Sequence, residues 1–222
     1  MKLPVNLDSV CLETTLADWL GVMREFAVEA VVVLGPDLFG GREDRQVMAV
    51  YPPEVLDAAR ALADSDDFGA TWRESDAPMV AWQHIAKTEQ LSSCSWRLQW
   101  LAHGLQSLVR VEFSLPAGRA FECFLFSPRE FNNRSEAAEL VWSALNIWPL
   151  VRRGISQSRC NLTRRERECL TLAFHGLTAR ASAEQLKCSD RTVNYHLANA
   201  MAKLKVDNKM AAIQRACWVG AI

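Results

Sequence analysis

An α/β domain followed by a small all-helical domain is the fold class this sequence predicts, on three observations. The 222 residues suit two compact domains, each able to bury its own core. The apolar pattern mixes helical and strand periods up to about residue 152 and is purely helical after residue 160. The charge also changes sign along the chain. Residues 1–159 hold 15 Lys+Arg against 21 Asp+Glu, a net of −6, and residues 160–222 hold 10 against 5, a net of +5. An acidic body carrying a basic tail is the balance expected of a sensor joined to a phosphate-binding module.

The N-terminal elements are expected in the order helix, two strands, helix, hairpin, helix. Leu16, Trp19, Leu20, Met23 and Phe26 recur at helical spacing within Leu7 to Glu29, predicting the first helix. Ala30-Val31-Val32-Val33-Leu34 is a β-branched run stopped by Gly35-Pro36, hence a buried strand. Gln46 to Tyr51 can form a second strand, and Pro52-Pro53 opens a helix over Glu54 to Ala63, since proline is tolerated in a first turn. Residues 68–100 are irregular and hold Trp72, Trp82, Trp96 and Trp100. These tryptophans suit either a packed core or a ligand-enclosing wall. Ser107 to Leu115 and Arg119 to Phe126 flank Pro116-Ala117-Gly118 as a hairpin. A helix over Arg129 to about Arg152 follows, with Phe131, Ala138, Val141, Leu145, Trp148 and Val151 as its apolar stripe. The layers then read as an α/β/α sandwich around a mainly antiparallel sheet, over residues 1–153. Residues 154–160, rich in Gly and Ser, are expected to link it to a domain over 161–222.

In that second domain Thr163 and Glu166 fit a capping box that starts a helix, and His175-Gly176 can close it. Thr178 caps a short second helix to about Lys187. Ser189 caps a third, Asp190 to Leu204, in which Val193, Leu197, Ala200 and Leu204 share one face and must point into the core. The opposite face offers Arg191, Asn194, Tyr195, Ala198 and Asn199, a mixture of donors, acceptors and small groups that can meet base edges in a major groove. Thr192, Lys203, Lys205 and Lys209 flank it and can reach phosphates. A last helix spans Lys209 to Val219.

Leu162-Thr163-x-Arg165-Glu166-Arg167-Glu168, Gly176-x-Thr178, Ala183-x-x-Leu186 and Ser189-x-x-Thr192-Val193-x-x-His196-Leu197-x-Asn199-x-x-x-Lys203-Leu204 together resemble the LuxR-type C-terminal domain. The resemblance implies a four-helix helix-turn-helix fold whose third helix enters the major groove of double-stranded DNA and whose last helix pairs in a homodimer. It places Asn194, Tyr195 and Ala198 at the groove and Thr192, Lys203 and Arg191 at phosphates or flanks. Where the family has Glu-Ile-Ala in the second helix, this chain has Ala181-Ser182-Ala183, so Ser182 takes an apolar core position and is expected to loosen packing or bond back to the preceding turn.

The N-terminal domain resembles the acyl-homoserine-lactone domain of that family at Tyr51-Pro52, Asp76-Ala77-Pro78-Met79-Val80 and His103-Gly104-Leu105-Gln106-Ser107. The family tryptophan that bonds the lactone carbonyl falls at Val55, the tyrosine after it at Ala59, and the second glycine of the His-Gly motif at Leu108. An unpaired buried carbonyl would cost about 1 to 3 kcal/mol, so a different small molecule, or none, is expected. Tyr51, Trp72, Asp76 and Trp96 are the candidate ligand contacts.

Other chemistry finds little support in the sequence. Seven scattered cysteines and four dispersed histidines form no disulfide framework or zinc spacing, so no metal or other cofactor is expected. No nucleophile, phosphate loop or acid/base pair emerges at a meaningful spacing. With neither a signal-peptide core nor an apolar run of ~18 residues, the compartment expected is the cytoplasm. The readings left are an orphan or divergent quorum-sensing-related regulator that binds a two-fold DNA site as a dimer, or an antagonist that forms mixed dimers with other regulators.

Overall fold

The computed structural model describes residues 11–36, 45–65, 80–85, 95–115, 119–131 and 133–222. The chain divides into two compact units, Met1–Val151 and Arg152–Ile222.

The N-terminal unit is built on a five-stranded sheet of order β2-β1-β5-β4-β3, comprising β1 (Ala30–Pro36), β2 (Arg45–Tyr51), β3 (Val80–His84), β4 (Ser107–Leu115) and β5 (Arg119–Ser127). Every described pairing is antiparallel. The central strand β5 is buried along its whole length, as its run Phe121 to Phe126 requires. Among the described residues the unit also contains the helices α1 (Leu12–Val22), α2 (Leu56–Ala63), α3 (Ser95–Ala102) and the first part of α4 (Arg134–Cys160).

Period-2 alternation divides the sheet residues between two faces. Val32 and Leu34 of β1, Leu108 of β4 and Phe124 and Phe126 of β5 form one core with Val55, Ala58, Ala59 and Leu62 from the α2 segment and Trp96 and Trp100 of α3. Trp100 stacks on Phe126 with ring centroids 3.6 Å apart. Small side chains on α2 and indoles on α3 fill the same layer, so Val55 and Ala59 sit among tryptophans contributed by another helix. On the opposite face Trp148 of α4 stacks on Phe113 at 4.0 Å, and Trp19 of α1 donates its indole N–H to Ser143 Oγ of α4 at 2.9 Å. Together these contacts give the helix, sheet, helix layering expected from the sequence.

Charge is buried on the α2 side of the sheet. Glu112 and Glu122 lie directly opposite one another on β4 and β5, an arrangement that repels unless a cation intervenes. Arg110 supplies it, donating from Nε to Glu122 at 2.8 Å and from Nη2 to Glu112 at 3.1 Å. Arg45 adds a bond to Glu122 at 3.2 Å and caps the end of α2 by donating to the Leu62 carbonyl at 3.0 Å. Burial pushes the Glu112 carboxyl up, and the Arg110 charge pulls it back only in part.

Four sequence expectations need correction. The first helix is Leu12–Val22 followed by a 3₁₀ turn at Met23–Phe26, shorter than Leu7 to Glu29; its expected start lies outside the described residues. Strand β3 and helix α3 lie in the stretch expected to be irregular, where exposed Val80 and Trp82 blur the strand alternation. The expected linker, 154–160, is the last part of α4. There Ile155, Ser156 and Cys160 are buried, and tertiary packing overrides the weak helix propensity of Gly154, Ser156 and Ser158. The α4 stripe is also rotated. Up to Val151 its buried residues are Ala137, Leu140, Ala144, Ile147, Leu150 and Val151; of the expected stripe Val151 is among them and Trp148 packs on the sheet, while Leu145 is 42 % exposed and Ala138 is exposed. The helix has two apolar stripes, and spacing alone does not say which one faces the sheet.

Gly35 lies where the sheet leaves no room for a side chain. A Cβ there would lie 2.7 Å from the Phe121 ring and 2.8 Å from Met48 Cγ. Gly35→Ala is expected to overpack this contact and lower the stability of the N-terminal unit by about 1 to 3 kcal/mol. The urea midpoint measures it, and an unchanged midpoint would show that Phe121 can move aside freely.

Candidate nucleic-acid interface

The C-terminal unit contains helices α5 (Arg164–Phe174), α6 (Ala179–Leu186), α7 (Asp190–Lys203) and α8 (Lys209–Val219), and the starts predicted from the caps are observed. Thr163 and Glu166 form the reciprocal capping box, with Glu166 N donating to Thr163 Oγ1 at 3.3 Å and Thr163 N to Glu166 Oε2 at 2.8 Å. Thr178 Oγ1 accepts from Ala181 N at 3.2 Å, and Ser189 Oγ from Thr192 N at 3.1 Å. Asn208 caps α8 by accepting from Ala211 N at 2.8 Å. Ser182 is 2 % exposed, so it does occupy a core position.

Between α6 and α7 the chain turns at Lys187, which adopts φ 53°, a left-handed conformation that suits glycine best. From there α7 starts at its Ser189 cap. Val193, Leu197 and Ala200, with the C-cap Leu204, are all buried, which fixes the rotation of the helix about its axis. Consequently Arg191, Asn194, Tyr195 and Ala198 are exposed together and Asn199 is half-buried. Tyr195 is 63 % exposed, its ring set edge-on to His196 with centroids 5.7 Å apart. This is the face expected to meet base edges, brought together as the spacing implied.

The expected phosphate contacts divide into two groups. Lys209 lies exposed in the first turn of α8, and Lys205 is exposed just beyond α7. The Thr192 hydroxyl is half-buried and lies 2.8 Å from Ser189 Oγ, inside the cap. Lys203 departs from expectation. Its ammonium donates to Glu166 Oε2 at 2.8 Å and to the Asn161 carbonyl at 3.2 Å, so its charge is neutralised within the unit. Burial would raise the Glu166 carboxyl, but hydrogen bonds from Lys203 and Thr163 and the lysine charge outweigh it and hold the group below its ordinary 4.5.

Sequence reasoning missed this ion pair, whose partners lie 37 residues apart, and it also missed two arginine caps. Arg215 donates to the Leu204 and Lys205 carbonyls at 2.6 and 2.8 Å, closing α7. Arg152 donates to the Trp218 carbonyl at 3.1 Å and to that of Cys217, closing α8. A cation near a helix C-terminus is favoured by the helix dipole, but nothing local in the chain indicates which arginine reaches which end.

Of the candidate ligand contacts, Tyr51 is half-buried at the end of β2, paired with Val31. Trp96 is a core residue at 1 % exposure. Trp72 and Asp76 lie outside the described residues.

Residues 160–216 match the family described as bacterial regulatory proteins, luxR family. Over its whole length the chain is 27 % identical to the transcriptional activator protein SolR of Ralstonia nicotianae, covering 82 % of that protein. Over 67 residues, 30 % of this chain and 27 % of the relative, it is 42 % identical to the transcriptional activator protein LuxR of Aliivibrio fischeri. A crystal structure of Escherichia coli SdiA aligns at a TM-score of 0.49 and 20 % identity, covering 96 % of this chain and 92 % of that one. The C-terminal unit is a luxR-family helix-turn-helix domain, and the chain is a LuxR-type transcriptional regulator.

Two outcomes follow from the local geometry. Lys187→Gly is expected to relieve the left-handed turn and stabilise the C-terminal unit by about 1 kcal/mol, read as a higher urea midpoint; a lower midpoint would mean that the lysine side chain holds the turn. Lys203→Met keeps the aliphatic stem and removes the charge, and is expected to cost about 1 to 2 kcal/mol because the lysine is partly solvated. Since the Glu166 value is depressed on folding, its contribution is complete well above pH 4.5 and fades as pH falls through the lower folded value. The cost of Lys203→Met should therefore be full near neutral pH and shrink as pH falls through that value. A cost that does not change with pH would show that the ion pair does not stabilise the unit.

Proposed function

We propose that this regulator binds a two-fold DNA site as a dimer in the cytoplasm, with α7 of each copy in a major groove. The observation that carries this reading is the exposure of Arg191, Asn194, Tyr195 and Ala198 on one face of α7 while the opposite face is buried in the unit's core. Asn194 suits the paired donor and acceptor of adenine, and Arg191 the two acceptors of guanine. Tyr195 offers an apolar ring edge to a thymine methyl, Ala198 leaves clearance, and Asn199 stands at the flank. Thr192, Lys205 and Lys209 then meet phosphates, which position the helix without reading sequence. Lys203 leaves that group and serves as a strut. The relatives SolR and LuxR are described as transcriptional activators, which supports a role at promoters.

A small-molecule signal at the N-terminal unit is the second reading, and one observation favours it. The Trp100 indole N–H is buried without an acceptor among the described residues, and a ligand carbonyl would satisfy it. The replacements at Val55 and Ala59 point away from the acyl-homoserine lactone itself. Together they give the divergent, orphan-type sensor that the sequence suggested.

Fluorescence anisotropy with selected duplexes tests the DNA reading. Asn194→Ala should narrow the gap between preferred and mismatched sites by about 1 to 3 kcal/mol. Lys209→Ala should weaken binding to all sequences and lower the salt slope by about one, whereas Lys203→Met should leave that slope unchanged. Failure of the wild type to bind any selected duplex at low salt would contradict the reading and favour an antagonist acting through other regulators.

A further inference from the structure

A cavity of about 430 Å³ lies between α4 and the end of α1 with the 3₁₀ turn that follows it. That volume falls in the range of small-molecule sites, ~300 to 1,000 Å³. Three aromatic side chains line it, Trp19, Phe26 and Trp142. Trp19 makes a fixed inner wall, being 2 % exposed with its indole N–H already given to Ser143 Oγ. Trp142 stands at the mouth, 67 % exposed. The charge in the wall is of one sign. Glu25 and Glu139 both belong to it, both are exposed, and neither carboxylate has a partner among the described residues. No lysine, arginine or histidine is among the lining residues, and Arg24, next to Glu25 in the chain, stands outside the wall.

We propose that this cavity binds a small organic cation, an amine or guanidine on a short apolar stem, with its charge against Glu25 and Glu139 and its stem against Trp19 and Trp142. The site is on the opposite face of the sheet from Trp100, so it is separate from the small-molecule reading given above and does not rest on it. Three features select this class of occupant. Indole faces attract cations through their quadrupole, and two unpartnered carboxylates attract them by charge, in a part of the chain, residues 1–159, that carries a net charge of −6. An anion would be repelled, and a neutral apolar molecule would desolvate the carboxylates without pairing them. A strongly hydrated inorganic cation would gain nothing from the apolar floor, where Met23 and Ile147 are buried. Because α1 with its turn and α4 each supply a carboxylate, an occupant ties the two elements together and stabilises the N-terminal unit by mass action.

Isothermal titration calorimetry of the full chain with agmatine, which carries an amine and a guanidinium on an aliphatic stem, tests the proposal. Butyrate and butanol serve as the anionic and neutral probes, and magnesium as the inorganic cation. Saturable agmatine binding with a dissociation constant of ~1 mM or tighter is expected, weakening as salt rises because both carboxylates are exposed. Glu25→Gln and Glu139→Gln should each weaken it about tenfold. Trp142→Ala should weaken it by about threefold to thirtyfold, while Trp142→Phe, which keeps an aromatic face, should retain most of the affinity. Glu54→Gln, which removes an exposed carboxylate outside the cavity, should leave it unchanged. All these positions except Trp142 carry only a change of charge at the surface, so the melting temperature without agmatine should stay that of the wild type. The proposal is overturned if agmatine gives no saturable heat up to ~10 mM, if butyrate or butanol binds as well, if magnesium displaces agmatine, or if neither glutamine variant weakens binding.

Discussion

The Glu166 carboxylate, 3 % exposed, accepts at one oxygen from the backbone of Thr163 and the ammonium of Lys203, both at 2.8 Å. A buried carboxylate without such partners would be strongly unfavourable, so this arrangement constrains everything attached to it. It fixes where α5 begins, because the same carboxylate closes the capping box. It also fixes where α7 ends, because Lys203 is the last residue of that helix. With the Ser189 cap at one end and Lys203 at the other, α7 is pinned at both termini, and its apolar face completes the core between them. The surface it presents is therefore set before any DNA arrives, which is the preorganisation a groove-reading helix requires.

The C-terminal unit was legible in the sequence because its information is local. Thr163, Thr178 and Ser189 announce helix starts through side chains that bond within three residues, and the 3.6-residue period of Val193, Leu197, Ala200 and Leu204 settles which face is left over. What stayed hidden was contact between distant residues. Lys203 reads as a free phosphate ligand because its partner comes from another helix, 37 residues away in the chain. Arg215 and Arg152 were hidden in the same way.

The N-terminal unit was legible as layers and strands but less so in its details. Strong β-branched and aromatic runs revealed β1, β4 and β5. Strand β3 has few buried side chains and gave a weak alternation. The end of α4 looked like a linker because Gly154, Ser156 and Ser158 are poor helix formers, and only the burial of Ile155 and Cys160 makes the helix continue. Replacements at Val55 and Ala59 read in the sequence as losses from a ligand site. In the fold they belong to a core with Trp96 and Trp100, so small residues on α2 and large ones on α3 occur together. Of the proposed ligand contacts, Trp96 is absorbed by that packing.

Recognition of DNA by this protein depends, in the reading proposed above, on the exposed face of α7 meeting base edges. Photocrosslinking to a selected duplex carrying bromodeoxyuridine in place of thymine, followed by mass spectrometry of the adduct, tests it most directly. Adducts on Tyr195 or its neighbours on α7 are the result this account requires. Adducts confined to α8, around the exposed Met210, would show that a different helix faces the groove and would contradict it.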